Sequence, residues 1–123
     1  MKDYSHLNVQ NVDELFRILQ TELGDISSKW WKENRTTMTG YLRSLAEAAI
    51  QTRLALEQKR ISPQAADIIL HNQELAFNQT LQFTKFMTLA LGQRLLDTTF
   101  AIIGAAIYSR TGINLTPNLL KTP

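Results

Sequence analysis

Lys29-Trp30-Trp31-Lys32, followed by Arg35, is the stretch whose side chains could do the most chemistry. Lysine and arginine neutralise phosphates, and an exposed indole stacks on a base or lies at a membrane interface. Neighbouring residues on a helix point about 100° apart, so one Trp can join a core while the other is left at the rim. Together with Arg43 and Arg53 further along, the set Lys29, Trp30, Lys32 and Arg35 makes a candidate nucleic-acid or partner contact.

Asp67, His71 and Glu74 offer two carboxylates and an imidazole on one helix face. Helical di-metal sites need Glu-x-x-His on two helices with further glutamates opposite. Here the order is reversed and no second motif exists, so the trio reads as a solvated face and no metal is assigned. His6 and His71 are the only histidines, and no Gly-rich phosphate loop is present. With no convergent nucleophile and base, the expectation is a protein that is not an enzyme, without catalytic residues, cofactor or small-molecule substrate. The absence of cysteine removes disulfides, thiolate metal sites and thiol nucleophiles together.

The most apolar run is Phe100-Ala101-Ile102-Ile103-Gly104-Ala105-Ala106-Ile107-Tyr108. Ala101, Gly104 and Ala105 form a small-residue surface that another helix can approach closely. Nine residues do not span a bilayer, which needs about 20, and extension back to Met87 brings in Gln93, Arg94 and Asp97. Membrane action is therefore the third reading, behind protein contact and nucleic-acid binding.

These groups must be positioned by helices, since no strand pattern is apparent. Asn11 three residues before Glu14 gives a capping box, and Val12, Leu15, Phe16, Leu19, Leu23 and Ile26 recur at steps of three and four. With Gly24 as a left-handed stop, a first helix over 12–23 is predicted. Ser27 and Ser28 cap a second helix over 28–60, with Gly40 its one weak point. Met38, Leu42, Leu45, Ala49, Thr52 and Leu56 form its seam, Trp31 lies with them, and the lysines and arginines fall outside. Ser62-Pro63 opens a third helix over 63–110, continuous or broken at Gly92. Its first half carries a polar stripe of Asp67, His71, Glu74, Asn78, Gln82 and Lys85, read as wetted. In its second half, Leu89, Leu96, Ile103 and Ile107 occupy the same stripe, so the solvent face disappears. The short first helix cannot cover that length, and subunit contacts are the expected cover. Leu89, Leu96, Phe100, Ala101, Ile103, Gly104, Ala105 and Ile107 are thus the predicted protein-contact residues. Thr116-Pro117 offers a short terminal turn within the tail 111–123.

The 123 residues suffice for one helical domain. The net charge is +2, but the distribution is uneven. Residues 1–26 are acidic on balance and residues 27–62 basic, so the two segments neutralise each other when packed. MKDYSHLNVQ has no apolar h-region, which predicts no signal peptide and a cytoplasmic protein as synthesised, with incorporation into a larger particle compatible. The fold class expected is all-α, an elongated helical hairpin or small bundle. The function expected is that of a non-enzymatic assembly or adaptor protein, paired with itself as a homo-oligomer or bound to a larger protein assembly. Objects of this architecture serve as subunits of phage particles and secretion machines, an analogy of shape alone.

Overall fold

The computed structural model describes residues 3–115. The turn expected at Thr116-Pro117 lies outside the described residues. Four helices follow one another, α1 (Val12–Ile26), α2 (Ser28–Glu57), α3 (Pro63–Gln82) and α4 (Leu89–Thr111), with no strand among the described residues. The chain is an all-α helix bundle.

The helix starts obey the local chemistry of the sequence. Asn11 Oδ1 accepts from the Glu14 amide at 3.0 Å, while the Glu14 carboxylate accepts from the Gln10 amide at 2.8 Å. Two otherwise orphaned amides are satisfied at once. Ser27 caps α2 through the Trp30 amide, and Ser62 caps α3 through the Ala65 amide with Pro63 in the first turn. The ends are less regular. Gly24 does not stop the first helix, which runs through it to Ile26 and is closed by an extended Ser27. Gly24 instead lies beneath the Trp31 ring, 3.5 Å from where a Cβ would sit. The second helix ends at Glu57 rather than at residue 60, because Lys59 turns left-handed (φ 57°) and the Arg60 amide reaches back to the Ala55 carbonyl.

The largest departure is in the third predicted helix. It is neither continuous nor broken at Gly92, but interrupted by a connection over residues 83–88. Thr88 starts α4 by accepting from the Leu91 amide at 3.1 Å. Gly92 sits inside α4, where a Cβ would come within 3.2 Å of the Met87 sulfur. Its role is to let Met87 fold over the first turn of the helix.

The break changes what covers the apolar half. With α3 folded back, α4 is contacted by α1, α2 and α3 together. Leu95, Leu96, Phe100, Ile102, Ile103, Ala106 and Ile107 are buried within the chain itself. A continuous helix would have left them to a neighbouring subunit. Phe77 of α3 packs between Tyr41 of α2 (ring centroids 5.5 Å apart) and Phe100 of α4 (6.2 Å), tying three helices at one level. The expected α2 seam is buried throughout: Met38, Leu42, Leu45, Ala49, Thr52 and Leu56.

Candidate functional site

The sequence-predicted sites divide by where the fold puts them. Lys29, Lys32 and Arg35 are exposed on the first turns of α2. Arg43 is exposed but engaged, bonded to Asp13 at 2.9 Å and lying 4.5 Å above the Phe16 ring. The pair joins the basic second segment to the acidic first one.

Trp30 and Arg53 correct the expectation of an outer basic face. Trp30 is fully buried and Trp31 is the half-buried one, the reverse of the assignment by helical angle. The seam of α2 drifts at its amino-terminal end because its neighbour there is the 83–88 connection. Trp30 Nε1–H donates to Thr84 Oγ1 at 2.9 Å. A base has no access to this indole. Arg53 turns inward, donating to the carbonyls of Val9 (2.8 Å), Ala106 (3.3 Å) and Gln10 (3.4 Å). It fastens the segment before α1 to the end of α4. Burial, followed by the nearby Arg110, lowers its pKa from the usual arginine value, while Glu57 opposes the shift.

The polar stripe expected to be wetted is also turned. Glu74 is 1% exposed and lies in line with Leu70, Phe77 and Leu81, and His71 beside it is half-buried, its Nδ1 4.0 Å from the Glu74 carboxylate. Two apolar sides of α3 compete for the core. The side with Leu70, Phe77 and Leu81 wins because Phe77 completes the ring cluster with Tyr41 and Phe100. Ile68 (62% exposed) and Leu75 (38%) are left on the outside. The other exposed residues of α3 are Pro63, Gln64, Asn72, Ala76, Gln79 and Gln82, so its open face carries no charge. Asp67 and Glu74, the two charged residues of this helix, are off that face. Among the described residues no group of acidic or histidine side chains is arranged to hold a metal.

Of the predicted contact residues, Leu96, Phe100, Ile103 and Ile107 belong to the chain's own core. That role replaces the one expected for them. Ala101, Gly104 and Ala105 are half-buried along a groove of about 420 Å³ whose other walls include Tyr4, Tyr108 and Leu115. Among the described residues nothing comes within 4 Å of a Cβ placed on Gly104. Leu89 is 85% exposed.

Leu89 belongs to a surface feature that the sequence hid. Phe83 (91% exposed) and Phe86 (53%) stand with it around the α3–α4 connection. That connection is held firmly. The Asn34 side chain donates to the Lys85 carbonyl and accepts from the Lys85 amide, both at 3.0 Å, and also donates to the Trp30 carbonyl. Phe86 adopts φ 63°, a conformation usually left to Gly or Asn, with the Lys29 ammonium 4.4 Å from its ring centre. Read as mid-helix residues, Phe83 and Phe86 gave no sign of exposure. Thr84 and Thr88, four residues apart and both fit to bond backbone, were the available signal of a break.

Comparison with protein families, with curated proteins and with solved structures brings no match. No helix among the described residues is long and apolar enough to cross a membrane.

Proposed function

We propose that the protein is a non-enzymatic helical adaptor or assembly subunit that works by docking to protein, with the outward face of α3 as its contact surface. The observation that carries this reading is that the exposed residues of α3, from Pro63 to Gln82, carry no charge and include Ile68 and Leu75. Depletion of charge is the compositional mark of interface centres, and large apolar side chains in solvent are favourably covered. A second copy is the partner this face fits best, because a two-fold axis sets the same surface against itself and no like charges meet across it. A larger protein assembly presenting an apolar groove would engage the same residues.

Light scattering coupled to size exclusion tests the reading. The expected result is a particle heavier than the 14.0 kDa chain, returned to monomer by Ile68→Glu or Leu75→Glu without loss of helicity. A compact monomer at high concentration, unchanged by either substitution and bound to no protein, would overturn it.

A further inference from the structure

We infer that the end of the bundle formed by the α3–α4 connection and the first turns of α2 is a docking site for an anionic membrane surface. Phe83, Phe86 and Leu89 would enter the interfacial layer while Lys29, Lys32, Arg35 and Lys85 face its phosphates. Three large apolar side chains lie within seven residues, at 91%, 53% and 85% exposure. Lys85 lies within the same stretch and the exposed Lys29 stands 4.4 Å from the Phe86 ring, while the exposed Lys32 and Arg35 extend the positive charge along the first turns of α2 beside Gly24 and Trp31, with Glu33 the exposed acid of those turns.

This display is fixed rather than slack. Asn34, a buried amide, clamps the backbone of Lys85 from both sides, and buried Trp30 holds Thr84. Phe86 occupies a left-handed backbone position where Gly or Asn would be less strained. Lys29 and Lys32 stand at the amino-terminal end of α2, whose first turn has no acid, although the helix dipole there disfavours cations. A positive end bearing these residues is complementary to a negatively charged surface.

Lysine decides between the classes of partner. Protein interfaces are depleted in lysine, and the α3 face follows that rule. Three of the four cations here are lysines, whose long stems can lie along apolar groups while the ammonium reaches headgroups. Nucleic acid would use the cations and could stack on Phe83 and Phe86, but it leaves Leu89, the aliphatic third of the patch, uncovered, whereas an interfacial lipid layer takes all three. The site docks on the surface and does not span it.

Cosedimentation of the whole chain with vesicles of phosphatidylcholine, with and without a third of phosphatidylglycerol, tests the inference. Binding to the anionic vesicles should be about tenfold tighter or more, and weakened by salt. Phe83→Ser with Leu89→Ser, both at exposed positions, should lower it about tenfold while the thermal unfolding curve stays in place. Lys29→Gln with Lys32→Gln should lower it and flatten the salt dependence. No binding to anionic vesicles at low salt, or binding indifferent to the Phe83 and Leu89 changes, would overturn the inference. Binding of single-stranded DNA through the cations, in the absence of vesicle binding, would reassign the site to nucleic acid and overturn it equally.

Discussion

α3 and α4 are joined by six residues and use their apolar side chains in different ways. Every large aliphatic of α4 from Leu95 to Ile107 is inside, because three helices surround it, and even Thr98 and Thr99 are carried in with them. α3 has neighbours on one side only, and its second apolar side, with Ile68 and Leu75, stays in solvent. The lesson is that burial follows the number of neighbours and not the hydrophobicity of the segment. A helix at the centre consumes its apolar residues in folding, while one at the edge has some left for a partner.

The contrast is sharpest under truncation. Phe100→Ala removes a fully buried ring that packs against Phe77 and should lower stability by about 3 to 5 kcal/mol. Ile68→Ser should change monomer stability by no more than about 0.5 kcal/mol while weakening association. Urea unfolding of the two variants side by side checks this, and a large loss for Ile68→Ser in a monomeric sample would erase the distinction between the helices.

A smaller effect tests the groove along α4 at Gly104. Because nothing among the described residues lies within 4 Å of a Cβ on Gly104, Gly104→Leu should gain helix propensity, raising stability by up to about 1 kcal/mol. A lower melting temperature, or loss of an assembled species, would show that another molecule occupies the groove and that α4 is a contact surface after all.

The smallest effect concerns Tyr4, which lines the same groove. Its hydroxyl donates to Glu22 at 2.7 Å, and burial, then that hydrogen bond and the adjacent carboxylate charge, raise its pKa above the ordinary 10.0. An acid whose pKa is raised by folding keeps its proton longer in the native state. Its contribution is therefore complete below pH 10 and declines as pH rises beyond it. Unfolding measured across that range should show a steeper alkaline decline for the natural chain than for Tyr4→Phe. Equal slopes would mean that the Tyr4–Glu22 contact does not hold the segment before α1 in place.

Much of the fold was legible because it is local. The capping groups at Asn11, Ser27 and Ser62 act within four residues, and the α2 seam is a periodicity that any packing partner reads in the same way. The break after Gln82 was not legible, since Phe83 and Phe86 continue a helical pattern and the decisive contacts come from Asn34 and Trp30, about 50 residues away. Two expectations turn on that break. A helix taken as unbroken leaves no third cover for Ile103 and Ile107, so they were assigned to a partner. It also leaves the polar side of residues 67–85 facing water, where Glu74 in fact turns inward. Arg53 was misplaced for a similar reason, as its acceptors are backbone carbonyls, which no side-chain pattern records.

Of the four described helices, the central one is also the last to be made. α1 and α2 share Ser27 as the cap of both, so their hairpin draws on neighbouring sequence and has all its residues once Glu57 has left the ribosome. Synthesis at about 5 to 20 residues per second leaves roughly 3 to 11 seconds before Thr111 follows. Throughout that interval Leu42, Leu45 and Leu19 line a helical pair whose filling has not yet arrived. A nascent chain that folds this pair first would hold its apolar surface open until α4 arrives, a stage that slower elongation lengthens.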